Sequence, residues 1–323
     1  SGGAAVTAAA TAFAFREGGP ADLRATFGIS AAAVHHTSVR LGVSDSPPPT
    51  AAQVDAEWRN QRELIEFVAA RPGGDYWICE DRDAPVGYAR VCRFAEMEQL
   101  TELMVLPSHH GRGIGRALLD RCFTTDPTPD LARLVLAAGA PGDLTLYTRF
   151  GVMPVTGHWH LRASASDYAE RRAREVDAAD PDVHALAADR AAAEWRALEP
   201  PAVGHRRGDL HDFLARTRTC LATMEPDGSR ARALCWVGSG GDVGPAVAAT
   251  PADLVPVVLG ALDRVARTLE PPAFGVYCAT DAWWLLRRLR GLGFRVHWPG
   301  WVMSSIPLPG LDRYLPMRPP HLI

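Results

Sequence analysis

The chain has 323 residues, a formal net charge of −3 and 47% apolar residues. That length suits two domains of ordinary size, and so small a charge excludes a global pull towards nucleic acid or an anionic membrane. No apolar run reaches the length of a membrane span, and every one of the 34 basic side chains is arginine, which excludes lysine-nucleophile and Schiff-base chemistry.

In chain order, Ala12–Arg16 reads as a short strand, and Gly19-Pro20-Ala21-Asp22 opens a helix to about Arg40. The preceding Ala/Gly-rich stretch lacks the charged region of a secretory signal. Ser44–Thr50 is a loop. Val54, Trp58, Leu64, Ile65 and Phe67 then mark an amphipathic helix over Ala51–Ala70. Asp75–Cys79 and Pro85–Phe94 form a hairpin turned at Asp81–Ala84, and Gln99–Leu106 is the next strand. A glycine-rich turn and a helix to about Phe123 follow. Leu134–Ala137 is a strand, Tyr147 sits on a helix, and two final strands run to about Leu161.

The charged stretch Ser164–Ala178 reads as a solvated connector or helix and carries the first domain boundary. Beyond it the plan repeats in outline. Arg174–Val176 is read as a strand and Asp182–Leu198 as a helix capped at Asp180-Pro181. Cys220–Met224 and Arg232–Val237 form a hairpin around Pro226-Asp227-Gly228. Val243–Ala248, a helix over Pro251–Leu269, Phe274–Cys278, a helix over Asp281–Leu292, and strands at Gly293–Val296 and Trp301–Ile306 complete it. The six cysteines form no Cys-x-x-Cys pair and sit mostly in apolar strand-like runs. They read as buried free thiols of a cytoplasmic protein.

The most informative segment is Leu100–Leu119, L-T-E-L-M-V-L-P-S-H-H-G-R-G-I-G-R-A-L-L. A buried strand is closed by Pro107, which cannot donate to a ladder. Gly111, Gly113 and Gly115 turn the backbone and align several N–H groups ahead of a helix. The helix N-terminus adds its positive dipole end, giving a socket for phosphate. A P-loop is excluded, because it needs a lysine. A dinucleotide fingerprint fits poorly, because the spacing is G-x-G-x-G and the turn falls a hundred residues into the chain.

The segment resembles the acetyl-CoA loop of the GNAT superfamily of acyl-CoA N-acyltransferases. Val105-Leu106-Pro107 matches the family's strand end, and Gly113-Ile114-Gly115 its turn; the family's Arg/Gln position holds His110. Downstream, Tyr147-Thr148-Arg149-Phe150-Gly151 resembles the family's Tyr-x-x-Leu-Gly segment. The resemblance covers residues 12–162 well and 174–308 in outline. It implies an α/β (α+β) fold of two GNAT-like domains, each a mixed, mostly antiparallel sheet flanked by helices. Residues 10–165 would be the catalytic domain, and 170–323 a degenerate copy whose turn, Ala248–Asp253, has no glycines.

The resemblance also implies the site. Met104 and Val105 would offer backbone N–H groups to the thioester and pantetheine. His110, Gly111, Arg112, Gly113, Ile114, Gly115 and Arg116 would hold the pyrophosphate. A histidine at that position is expected to weaken pyrophosphate binding or to make it depend on pH. Tyr147 inherits the role of protonating the leaving thiolate. The family's pantetheine-contacting Asn is replaced by Ala140, and its strand Glu by Gln99. Glu98 and Glu102 are the nearby carboxylates, and Glu102 is the candidate general base, with partnership to an arginine as the alternative.

Other residues carry weaker signals. His158 and His160 share a strand face, a spacing suited to an acceptor cleft more than to a metal. His35-His36 and the loop-flanking His109 are further candidates. Trp283, Trp284, Trp298 and Trp301 read mainly as packing, some of them lining an acceptor pocket.

The expected function is acetyl-CoA-dependent N-acetylation of a primary amine on a small molecule, a metabolite or an antibiotic-like compound, by direct transfer in a ternary complex. Acetyl-CoA is the co-substrate and no metal is required. No nucleic acid or membrane partner is expected, and the chain would act as a monomer, a pseudo-dimer of its domains, or as a homodimer. The rival readings are a non-catalytic acyl-CoA-binding protein of the same fold and an oxidoreductase using the turn for NAD.

Overall fold

The structure is a computed structural model and describes residues 13–138, 140–175 and 182–318. Along the chain run β1 (Ala14–Glu17), α1 (Leu23–Arg40), α2 (Ala51–Ala69), β2 (Asp75–Asp81), β3 (Ala84–Phe94) and β4 (Met97–Val105). Next come α3 (Ile114–Cys122), β5 (Ala132–Ala137), α4 (Pro141–Thr148), β6 (Met153–Ser164) and α5 (Ala165–Ala173). The C-terminal half holds β7 (His184–Leu186), α6 (Ala188–Leu198), α7 (Pro200–Val203), α8 (Gly208–Thr217), β8 (Arg218–Met224) and β9 (Ala231–Gly238). It ends with β10 (Val243–Ala248), α9 (Pro251–Leu269), β11 (Ala273–Ala279), α10 (Trp283–Gly291), β12 (Arg295–Trp298), β13 (Trp301–Ser304) and β14 (Tyr314–Leu315). This is a mixed α/β fold with mostly antiparallel sheets flanked by helices.

The chain divides into two compact units. Unit 1 is Ser1–Arg62, Asp75–Val91 and Glu102–Thr124; unit 2 is Glu63–Gly74, Cys92–Thr101 and Thr125–Ile323. In unit 1, β1, β2 and β3 form an antiparallel ladder. Arg82 and Asp83, both at positive φ, turn the β2–β3 hairpin, as the right-handed twist of a tight hairpin favours. Ile29 of α1 packs on Ile78 and Tyr88, with Met104 and Leu106 against them.

In unit 2, β4 runs parallel to β5, through Met97–Leu100 against Ala132–Val135. β13 lies between β5 and β6 and is antiparallel to both. The rest of β6 pairs with β11 on one side and β12 on the other. A second, antiparallel sheet has the order β14-β10-β9-β8-β7. A cut at 165–170 therefore falls inside unit 2, because β13 of the C-terminal half is hydrogen-bonded on both edges by strands of the N-terminal half.

Local differences from the sequence expectations have simple causes. The expected pair of strands ending near Leu161 is the single strand β6, and its partner β13 comes from the far end of the chain. Arg174 and Glu175 follow helix α5 and form no strand; Val176, Asp180 and Pro181 lie outside the described residues, as does Ala12. The helix expected from Asp182 starts at Ala188, because His184–Leu186 pairs with β8. All six cysteines are buried free thiols.

Unit 2 also buries a polar cluster. Arg207 donates to Glu199 through Nε at 3.0 Å and Nη2 at 2.6 Å, and Tyr314 adds its hydroxyl at 3.2 Å. His211 Nε2 meets the other carboxylate oxygen at 2.6 Å, and Trp236 donates to His211 Nδ1 at 3.2 Å. Burial opposes the Glu199 charge, but Arg207 and His211 hold its carboxyl well below the usual carboxylate range. Nearby, burial first and Arg207 second push the His205 imidazole down to about 4.

His205 predicts an acid response. The folded state binds fewer protons there than the unfolded chain, whose histidine titrates near 6.5. Stability is full above that value and falls as pH drops from about 6.5 to about 4, by an amount on the order of 3 kcal/mol. Urea unfolding of native protein and His205→Asn across this window is expected to show the variant's stability changing less.

Candidate functional site

Unit 1 builds the glycine turn in three steps. Leu106 N–H bonds the Val86 carbonyl at 2.8 Å, which carries the end of β4 alongside β3. Gly87 permits that approach: a Cβ there would lie 3.2 Å from the Met104 carbonyl oxygen, Val105 and Ile114. After a single 3₁₀ turn at Pro107–His109, Gly111 and Gly113 both take left-handed φ, +75° and +78°, a region that glycine occupies without steric cost.

Gly113 is the N-cap of α3, and no side chain caps this helix. The first backbone bond into the helix runs from Ala117 N–H to the Gly113 carbonyl at 3.0 Å. The N–H groups of Ile114, Gly115 and Arg116 therefore have no acceptor within the helix. The first turn holds no acidic residue, and a Cβ on Gly111 or Gly113 would meet nothing within 4 Å. Uncapped N–H groups, a positive dipole end and open space make an anion site that suits a pyrophosphate. Ile114 is buried and anchors the helix. Arg116 is exposed and 3.8 Å from Asp120, and Arg112 is exposed.

His110 folds back on the strand, with Nε2 donating to the Val105 carbonyl at 2.9 Å. The His36 ring meets it edge-on at 5.4 Å. His109 does not turn to the glycine loop: Asp81 holds its Nε2 at 3.2 Å and Ser108 its Nδ1 at 2.9 Å.

Glu102 is on β4, but it is not a free base. Tyr88 donates to one carboxylate oxygen at 3.1 Å, and Arg90 forms an ion pair with the other. The Arg90 side chain is 2% exposed and that of Glu102 10%. The Arg90 guanidinium lies 4.6 Å from the centre of the Tyr76 ring. Burial opposes the arginine's charge, and Glu102 more than restores it. Glu98, the second carboxylate of this strand, is likewise taken, by Arg133 at 2.6 Å in unit 2. The sequence reading missed Arg90 and Tyr88. The available signal was an arginine in the middle of an apolar strand, which must find a counter-charge.

Residues 72–152 match the family described as acetyltransferase (GNAT) domain. The fold of nearly the whole chain matches a putative acetyltransferase from Pyrococcus horikoshii, at 15% identity and a TM-score of 0.67, over 94% of this chain and 92% of that one. It also matches a tandem GNAT protein from the clavulanic acid biosynthesis pathway, at 16% identity and a TM-score of 0.53, over 92% and 99%. A GCN5-related N-acetyltransferase from Sphaerobacter thermophilus matches at 18% and 0.54, over 92% and 98%.

Residues 72–152 carry the GNAT acetyltransferase match, and the chain as a whole has the fold of these acetyltransferases.

The remaining residues singled out for a GNAT site lie in unit 2. Tyr147 is on α4 and buried; burial first, and the charge of Asp143 second, raise its hydroxyl above the ordinary phenol value. It therefore stays protonated at neutral pH, as a proton donor must. Ala140 is the N-cap of α4 and provides no side-chain cap. Thr250 caps α9 by accepting from Asp253 N–H at 3.3 Å, so that helix start satisfies itself with an acid in its first turn. Among the described residues, no group of three or more His, Cys, Asp or Glu could hold a metal, and no helix is long and apolar enough to cross a membrane.

Two substitutions test this geometry. Glu102→Gln strips a buried arginine of its counter-charge and is expected to cost about 3–5 kcal/mol in urea unfolding. The double replacement Arg90→Met with Glu102→Leu is expected to recover most of that loss. Gly113→Ala introduces no clash, so its expected cost of about 1–2 kcal/mol comes from the left-handed backbone alone. Equal stability of Gly113→Ala and native protein would remove the φ argument.

Proposed function

We propose that this protein transfers an acetyl group from acetyl-CoA to a primary amine of a small molecule by direct transfer in a ternary complex. The observation that carries this reading is the start of α3: uncapped N–H groups behind two left-handed glycines, directly after strand β4. Ile114, Gly115 and Arg116 would bind the pyrophosphate through backbone N–H, with Gly111 and Gly113 shaping the turn. Met104 and Val105 at the end of β4 would take the pantetheine and the thioester carbonyl.

Acetyl-CoA supplies the acyl group as an activated thioester. The amine nitrogen bonds to the carbonyl carbon, the carbon–sulfur bond breaks, and the Tyr147 hydroxyl gives its proton to the departing sulfur. The proton lost by the amine passes to water, because Glu102 and Glu98 are both engaged by arginines. That engagement also favours a second reading, a GNAT-fold protein that binds acyl-CoA without turnover. Neither reading requires nucleic acid, membrane or metal, and both suit a cytoplasmic monomer or homodimer.

Calorimetry with acetyl-CoA and with NAD, followed by thiol release over a panel of amines, tests the proposal. Acetyl-CoA is expected to bind and NAD not, with binding at least tenfold weaker in Gly113→Ala. Tyr147→Phe is expected to lower kcat tenfold or more with acetyl-CoA affinity unchanged. Binding with no thiol release on any amine would support the second reading, and absence of acetyl-CoA binding would remove both.

A further inference from the structure

The face of the β6–β12 ladder carries an unusual pairing. Arg162 of β6 stands directly opposite Arg295 of β12, and both are exposed. Directly opposed residues on antiparallel strands point to the same face, and like charges there repel. Neither arginine has a carboxylate partner among the described residues. Asp242, which with Arg318 and Arg162 acts on the Tyr277 hydroxyl, is paired with Arg318 at 2.9 Å.

The surroundings are shaped as well as charged. His160 precedes Arg162 by two residues on the same strand and stacks on Tyr277 of β11, centroids 4.4 Å apart and planes 10° apart. His297, the extra residue at the irregularity between Val296 and Trp298, meets His160 edge-on at 5.2 Å. Gly275 of β11 stands opposite Arg162 on the other side of β6. A Cβ there would come within 2.6 Å of His160 Nε2, so the ring occupies space that only glycine leaves. Burial first, and the charge of Arg162 second, lower the His297 pKa, which places that guanidinium on the histidine face.

We propose that this face binds an anionic group of a small molecule, a phosphate or a carboxylate, with Arg162 and Arg295 as the paired cations and His160 and His297 as flanking donors. An anion between the arginines turns a repulsive pair into two charge-assisted contacts, and guanidinium forks suit both anions. The site lies wholly within unit 2 and is independent of the acyl-transfer reading.

Thermal unfolding at low ionic strength provides the test, with inorganic phosphate and malonate as probes and chloride at matched ionic strength as control. Without either probe, Arg295→Gln is expected to unfold at a higher temperature than native protein, because one of two repelling charges is gone. With saturating probe the order reverses, native protein gaining several degrees more than Arg162→Gln/Arg295→Gln. Phosphate can also occupy the glycine turn, so the difference between native protein and double variant is the readout. The control pair Arg264→Gln/Arg267→Gln, exposed positions on α9, is expected to respond as native protein does. A shift with phosphate alone assigns a phosphate-bearing ligand, and one with malonate alone a carboxylate. Identical responses of native protein and double variant to both probes, or no gain for Arg295→Gln without probe, would overturn the proposal.

Discussion

Four residues, Trp301–Ser304, hold unit 2 together. As β13 they are hydrogen-bonded to β5 on one edge and β6 on the other, and Val302 and Met303 are fully buried. A strand paired on both edges has no free N–H or C=O row, so removing it would open two ladders at once. The parallel partner of β4 is therefore held by a strand from more than 160 residues further along the chain. This is why the C-terminal half, which has no glycine socket of its own, is part of the same folded body as β5 and α4.

A second rule runs through the interior. Glu98, Glu102 and Glu199 are each matched to a buried arginine. Arg133 donates to Glu98 and to the carbonyls of Phe150 and Thr125, each at 2.7 Å. Arg90 pairs with Glu102 over Tyr76, and Arg207 with Glu199 beside Tyr314. A planar guanidinium can divide five donors among several acceptors, which an ammonium on a flexible stem does less well. Such pairs contribute little net stability against an apolar core, but losing one partner is costly. Glu98 and Glu102, the two carboxylates of β4, thus each serve a buried arginine as counter-charge.

The two strand-to-helix turns show how a plan can repeat without its function. At α3 the N-cap is a left-handed glycine, and no side chain caps the helix. At α9 the N-cap is Thr250, whose hydroxyl accepts from Asp253 N–H, and Asp253 itself pairs with Arg232 at 2.7 Å. One helix start is left for a ligand and the other is closed by its own side chains, with a carboxylate that would repel an anion.

The sequence by itself determined what is local. Glycine spacing, Pro107 and the apolar run before it marked the socket, since left-handed φ and a missing N–H are properties of single residues. The helix at Pro251–Leu269 and the hairpin at Pro226–Gly228 were legible for the same reason. Only the tertiary structure decided what depends on residues far apart in the chain. Glu102 meets Arg90 across a hairpin, β13 reaches β6 from the far end, and Arg162 faces Arg295 through a register set by an irregularity at His297. Periodicity reports which face of a strand a residue occupies, but register and partner follow from how whole strands pack, and no single residue carries that information.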